Sequence, residues 1–259
     1  MDCDPQKCPY AKGHYDRIND AVYELWTKEE AFDRETILAQ AEKYSVCPFE
    51  ITLDLAVWMD GIVCDYNYVF DPNVYLKRFF GENIKGKYLF LIDEAHNLVD
   101  RGREMYSASL CKEEIESTRR FVRAHSSRLY RMLGKAAKQL EVLKEESSSS
   151  WQVLENAGTL PVTLLSIQGE MDKLLEEPPS QEFVDGILEF YFAVRDFLNI
   201  AELVDENYVT YVSTDEDRKF RMKLFCVNPA ANLQRCLDRG VSTVFFRQHF
   251  CRLLTTGRC

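Results

Sequence analysis

The stretch that most constrains this chain is Tyr88 to Asp100, YLFLIDEAHNLVD. Tyr88, Leu89, Phe90, Leu91 and Ile92 form an unbroken apolar run, the pattern of a strand buried on both faces of a parallel sheet. Asp93 and Glu94 follow at once, then Ala95 and His96, so two carboxylates stand where the strand ends. Open α/β sheets place their ligand chemistry at that end. An adjacent acidic pair there suits nucleotide hydrolysis, with one carboxylate holding Mg²⁺ and its neighbour orienting water. The competing reading is a chance tetrapeptide at a strand end, and the rest of the chain has to decide between them.

A chain of 259 residues with 46% hydrophobic residues can bury a sizeable core, as one large domain or one domain carrying insertions. It contains no apolar run of about 18 residues. The opening MDCDPQKCPY carries acids and no apolar core, so neither a membrane span nor a signal peptide is expected and the chain reads as cytoplasmic. In that setting the nine cysteines read as thiols or metal ligands rather than a disulfide framework. The net charge of −10 argues against indiscriminate nucleic-acid binding, but a global sum hides local stripes.

Cys3, Cys8 and Cys47 have the spacing Cys-x4-Cys-x38-Cys, and Pro9 and Pro48 follow the second and third. A cysteine-proline step is frequent at iron–sulfur ligands, where the ring ends local structure. Between them, Asp16 to Trp26 and Arg34 to Tyr44 read as amphipathic helices that bring the third thiol back. Three thiols are one short of the four donors of a cubane cluster or a structural zinc site. A donor is missing, or His14 supplies it, or the cysteines are buried thiols; these readings stay open here.

From Ile51 the pattern is helix, a strand at Ile62, Val63 and Cys64 after Gly61, a helix over Val74 to Phe80, a loop over 81–87, then the Tyr88 strand. That order is a βα unit of a parallel sheet. Gly81-x4-Gly86-Lys87 imitates a phosphate-cradling loop, but Tyr88 replaces the hydroxyl residue and a strand replaces the helix, so it is rejected. No other phosphate-binding loop is present. Glu113 to Glu146 reads as one helix of about 50 Å at ~1.5 Å per residue. It carries Arg119, Arg120, Arg123, Arg128, Arg131, Lys135 and Lys138 with no acid between them. This is either a solvated face or a contact to a phosphate backbone. Ser147 to Ser150 reads as a flexible linker, and Phe183 to Leu198 as a core helix. Tyr208 to Ser213 and Lys219 to Val227 read as a hairpin, Asn228 to Arg239 as a helix, and Ser242 to Phe246 as a strand returning to the sheet.

The set Cys8-Pro-Tyr-Ala-Lys-Gly-His, Cys47-Pro-Phe-Glu, Cys64-Asp-Tyr-Asn-Tyr-Val-Phe-Asp and Asp93-Glu-Ala-His-Asn-Leu resembles the iron–sulfur DNA helicases of the XPD and DinG type, DEAH-box members of superfamily two with a DEAD_2-like region. The resemblance implies an α/β fold: a partial RecA-like P-loop NTPase parallel sheet with an iron–sulfur insertion and a mainly helical arch insertion. The implied parts are a partial cluster domain at 1–50, a partial motor domain at 51–104 and 226–246, and an arch at 105–225. Asp93 would hold the water shell of Mg²⁺, Glu94 would act as general base in ATP hydrolysis, and His96 would couple nucleotide state to the DNA-binding face. Cys3, Cys8 and Cys47 would be three of the four ligands of a [4Fe-4S] cluster, the family's first cysteine lying just before Met1. Tyr66 and Asn67 would border the DNA path. The basic helix, with Arg119, Arg120, Arg123, Arg128, Arg131 and Lys135, would guide single-stranded DNA by backbone contact.

Two features depart from the resemblance. The phosphate-binding loop is missing, and after Phe246 the chain reads RQHFCRLLTTGRC where the family continues with Ser-Ala-Thr. A permitted back-translation of those residues, shifted by one nucleotide, reads Ser-Ala-Thr-Phe-Leu-Pro, so residues 247–259 are expected to be a frameshifted tail in which Cys251 and Cys259 have no role. The expected parent activity is ATP hydrolysis coupled to 5′ to 3′ translocation on single-stranded DNA. This piece alone is expected to be inactive, its partners being DNA, ATP and the missing parts of the helicase. The alternatives are a non-catalytic single-stranded nucleic-acid-binding module and a zinc-stabilised interaction protein.

Overall fold

The structure, a computed structural model, describes residues 8–81, 84, 86–147 and 149–247. The described chain forms two compact units, one running to Asp65 and including Lys77–Ile84, the other made of Tyr66–Leu76 and the residues from 86 onward. Cys3 and the expected frameshifted tail beyond Arg247 lie outside the described residues.

The first unit is helical. It contains α1 (His14–Lys28), α2 (Arg34–Tyr44), α3 (Pro48–Ala56) and the single turn α5 (Lys77–Phe80), while α4 (Asn67–Phe70) belongs to the second unit. Ile18, Ala21 and Leu25 of α1 share one face and pack with Ile37, Val46, Ile51 and Leu55. Asp33 caps α2 by accepting the Thr36 N–H at 2.9 Å. Glu24 ties α1 to α2: its carboxylate takes the Lys28 and Lys43 ammonium groups, the Tyr44 hydroxyl and the Gln40 amide, and these donors hold it well below the usual carboxylate range. The expected strand at Ile62–Cys64 does not form. Val63 is fully exposed, and among the described residues no strand lies beside it to accept its backbone groups. The expected helix over Val74–Phe80 contracts to α5, because Asp71 turns the preceding chain by accepting the Asn73 and Val74 N–H groups.

The second unit holds two sheets. β1 (Tyr88–Ile92) pairs in parallel with β6 (Gly240–Phe245), with Leu91 opposite Val244 and Ile92 opposite Phe245. The return of the chain to the Tyr88 strand is therefore as the sequence predicts. The expectation of burial on both faces is not met: Ile92 packs with Leu98, Tyr106, Phe70 and Cys226, but Leu89 and Leu91 are each 71% exposed. Side chains alternate across a strand, and no described element covers the second face.

After α6 (Leu98–Met105), strand β2 (Ala108–Cys111) leads into α7 (Lys112–Val122) and α8 (Ser127–Glu146). The single long helix expected over Glu113–Glu146 is thus two. Ser126 ends the run by accepting the Leu129 N–H at 3.1 Å, a serine N-cap, and the chain reverses. Lys112 pairing with Glu141, and Arg119 stacking on Tyr130, set the two helices antiparallel. The Ser-rich segment leads into a strand, β3 (Trp151–Leu154), followed by α9 (Leu160–Glu176) and α10 (Gln181–Ala201). β4 (Tyr208–Thr214) and β5 (Phe220–Cys226) form the expected hairpin, and α11 (Ala230–Leu237) precedes β6. The antiparallel order is β2-β5-β4-β3, so the region expected to be mainly helical also contains a four-stranded sheet. Phe220, Met222 and Leu224 alternate inward along β5 and join Phe183, Phe197, Leu129 and Leu133 in the main core. No helix among the described residues is long and apolar enough to cross a membrane.

Candidate functional site

β1 delivers Asp93 and Glu94 to the carboxyl end of the parallel pair. The ladder continues past them: the Phe246 N–H donates to the Ile92 carbonyl at 3.0 Å, and the Ala95 N–H donates to the Phe246 carbonyl at 3.1 Å. The strand after α11 therefore runs directly against the acidic tetrad. Asp93 is exposed, and its carboxylate accepts the Glu94 N–H at 2.8 Å. Glu94 sits in the left-handed region at φ 46° and ψ 41°, which starts the 3₁₀ turn Ala95–Asn97. That conformation is unfavourable for a residue with a Cβ and places the Glu94 carboxylate beside His96, whose Nδ1 lies 3.2 Å from it.

The Tyr66 hydroxyl donates to the Asp93 backbone carbonyl, so the segment after Cys64 is brought against the acidic tetrad. Removal from water, with the Asp93 and Glu94 charges adding to it, pushes the Tyr66 hydroxyl pKa up, and it stays a neutral donor. Asn67 is exposed at the start of α4. Exposed carboxylate oxygens are hard donors that suit a hydrated Mg²⁺ ion, so Asp93 fits that role. Gly86 and Lys87 run straight into β1 rather than a helix, so the glycine-lysine decoy has no phosphate-binding geometry.

The cysteine segments meet differently. Arg17 donates to the Lys12 carbonyl at 2.9 Å, on the Cys8 side, and to the Ser45 and Tyr44 carbonyls, each at 2.7 Å, on the Cys47 side. The Cys47 N–H donates to His14 Nδ1 at 3.3 Å, committing that ring nitrogen. Both thiols are half-buried and free. Among the described residues no three His, Cys, Asp or Glu side chains converge as metal ligands. The described residues alone therefore do not make a cluster site. Arg17, which no sequence motif marked, organises this end of the unit.

The basic residues divide. Arg119 lies over the Tyr130 ring at 4.4 Å and against Gly134, and Arg128 pairs with Glu170 at 3.2 Å. Arg120, Arg123, Arg131, Lys135 and Lys138 are exposed. Arg131, Lys135 and Lys138 are spaced four and three residues apart along α8 and share one face.

A family model described as DEAD_2 matches residues 2–115. The chain is 33% identical over 90 residues to the Fanconi anemia group J protein homolog of Gallus gallus, covering 35% of this chain and 7% of that protein. It is 21% identical over 199 residues to the ATP-dependent DNA helicase CHL1 of Kluyveromyces lactis, covering 77% of this chain and 22% of that one. It is also 24% identical over 159 residues to the regulator of telomere elongation helicase 1 of Rattus norvegicus, covering 61% of this chain and 12% of that one. In each case the match spans less than a quarter of the relative's length.

Proposed function

Residues 2–115 belong to the DEAD_2 region of the XPD/DinG-type helicases, and from that premise we propose that the chain supplies the DEAH half of a DNA-dependent ATPase site together with a surface for single-stranded DNA. The observation that carries this reading is the placement of Asp93 and Glu94 at the carboxyl end of β1, with β6 paired beside them. In this reading Asp93 holds a hydrated Mg²⁺, and Glu94 accepts the proton of the water that attacks the terminal phosphate of ATP. When bound, the metal neutralises charge on the transferred phosphoryl group. His96, paired with Glu94, links the state of that carboxylate to the segment beyond it. Hydrolysis would drive 5′ to 3′ translocation on single-stranded DNA in an assembly that also contains a phosphate-binding loop and a second motor domain.

Cys3, Cys8 and Cys47 are proposed as three thiolate ligands of a [4Fe-4S] cluster, supported by their spacing and by the clamp that Arg17 makes between the Cys8 and Cys47 segments. The chain alone lacks a phosphate-binding loop and is expected to hydrolyse ATP no faster than buffer. A DNA-stimulated ATPase assay on the purified chain tests this, and robust turnover would overturn it. A non-catalytic single-stranded nucleic-acid-binding module is the second reading, favoured by the exposed Arg131, Lys135 and Lys138 face of α8. Mg²⁺-dependent ATP binding that is lost in Asp93→Ala selects the first reading over the second.

A further inference from the structure

Two tryptophans and a tyrosine stand together on the surface of the first unit. Tyr23 and Trp26 are three residues apart on α1 and so share a face, with their ring centres 6.5 Å apart and the planes inclined at 62°. Trp58, in the turn after α3, brings its ring to 5.7 Å from that of Trp26. Each of the three is at least half exposed, whereas Ile18, Leu25 and Ile51 of the same two helices fill the core. Large aromatic side chains left in water and in mutual contact mark an interaction surface, which single exposed ones do not.

The charge beside this cluster has one sign. Asp20 lies three residues before Tyr23 on the same face of α1, Glu29 and Glu30 follow the end of that helix just after Trp26, and Asp60 lies two residues beyond Trp58. All four are exposed, and among the described residues none is in an ion pair. Lys28, the cation closest in sequence to Trp26, is turned to Glu24, which also takes Lys43. Arg78 is held by Glu50 and Asp54 of α3.

Aromatic faces attract cations, and a guanidinium group both stacks on them and pairs with carboxylates. The same faces stack nucleic-acid bases, but a single strand brings phosphates that need a cationic groove, and these carboxylates repel them. The rings and the charges therefore select one kind of ligand together, a positively charged one. We propose that the Tyr23, Trp26 and Trp58 cluster with its acidic flank is a docking surface for an arginine-rich segment of a partner protein, whose guanidinium groups lie on the indole faces and pair with the carboxylates. The surface makes no use of Asp93 or Glu94, so this proposal and the helicase reading can fail separately.

The test follows tryptophan emission from the full chain. Of its three tryptophans, Trp151 lies in β3, so Trp151→Phe confines the signal to Trp26 and Trp58. In that background the peptide (Arg-Gly)6 should change the emission saturably, (Lys-Gly)6 should bind more weakly, and (Glu-Gly)6 should have no effect. Trp58→Ala, with Trp26 as reporter, should weaken (Arg-Gly)6 binding at least threefold. The double variant Asp20→Asn and Asp60→Asn keeps every ring and should weaken it at least twofold at low salt, the difference vanishing at high salt. Circular dichroism checks the fold of each variant, and the double variant decides alone if Trp58→Ala does not fold. No response to (Arg-Gly)6, equal binding of (Lys-Gly)6, or a folded variant of either kind that binds as tightly as its parent overturns the proposal. Emission that responds to (dT)12 and not to (Arg-Gly)6 overturns it in favour of nucleic acid, and self-association in sedimentation that Trp58→Ala abolishes overturns it in favour of a second copy of the chain.

Discussion

Glu94 occupies a backbone conformation that a residue with a Cβ enters only against resistance, and that resistance can be measured. In the left-handed region the Cβ crowds the backbone, at about 1–2 kcal/mol for a non-glycine residue. Glycine escapes this but loses about 0.4–1 kcal/mol through the greater freedom of its unfolded chain. Glu94→Ala and Glu94→Gly both remove the exposed contact with His96, so that term cancels between them. At mid-range values Glu94→Gly should then be the more stable of the two by roughly 0.8 kcal/mol. Lys138, exposed inside α8, is the control, because there the order reverses and alanine should exceed glycine by about 1 kcal/mol. For a unit of this size, 1 kcal/mol moves the melting temperature by about 2–4 °C. Differential scanning fluorimetry of the four variants should place Glu94→Gly about 1–4 °C above Glu94→Ala, and Lys138→Gly about 2–4 °C below Lys138→Ala. A Glu94→Ala variant as stable as Glu94→Gly would refute the claim that the acidic tetrad stores backbone strain. Strain kept at a carboxylate proposed to meet water follows the general pattern in which functional positions hold conformations the fold would otherwise avoid.

The division of the basic residues predicts two different phenotypes. Reversal of the exposed Arg120, Arg123 and Arg131 to glutamate should cut single-stranded DNA affinity and flatten its salt dependence without lowering the melting temperature, whereas Arg119→Ala should lower stability by about 0.5–2 kcal/mol through its lost stacking on Tyr130, with DNA affinity little changed. Half-buried Asp196 accepts the Asn73 amide at 2.6 Å, and its removal from water, with the Asp71 charge adding to it, pushes its carboxyl pKa up. The folded state thus holds that proton more tightly than the unfolded chain, so this group's contribution is full below the unfolded pKa of about 3.9 and is lost as pH rises through the folded pKa. Asp196→Asn keeps the hydrogen-bond acceptor and should melt above the wild type at pH 7, the gap closing toward pH 4; a gap that does not change with pH would count against this. Cys8→Ser should lower iron per chain after anaerobic purification, and equal iron in both proteins would remove Cys8 from the ligand set.

The sequence marked the elements whose patterns are local. α2 runs over the predicted Arg34–Tyr44, β1 over the predicted Tyr88–Ile92, and the hairpin turns within the predicted polar stretch, because helical periodicity, an apolar run and a polar turn each need only a few neighbouring residues to specify them. What stayed hidden depends on distant partners. β3 follows a serine run that reads as linker, and it forms because β4 offers it an edge, with Val153 opposite Tyr211. The break between α7 and α8 turns on the single cap at Ser126, which composition over a 34-residue window does not reveal. Among the cations, only packing separates Arg119, stacked on Tyr130, from the exposed remainder, and exposed Arg128 differs from the others by its ion pair with Glu170. The strain at Glu94 has no sequence signature, since glutamate rarely enters that region.

The parallel pair that carries the acidic tetrad is weakly supported compared with the antiparallel sheet. A two-stranded sheet is marginal by itself, and parallel pairing is normally protected on both faces. Here Leu89 and Leu91 are each 71% exposed and Val241 is 66% exposed, whereas β5 places Phe220, Met222 and Leu224 in a closed core at about 1% exposure or less. Burial of that kind, rather than backbone pairing alone, sets the free energy of local opening. Amide hydrogens of β1 and β6 should therefore exchange well before those of β4 and β5. Covering the Leu89 and Leu91 face with a further strand or helix would slow that exchange and at the same time fix Asp93 and Glu94 in space, since both hang from the end of β1.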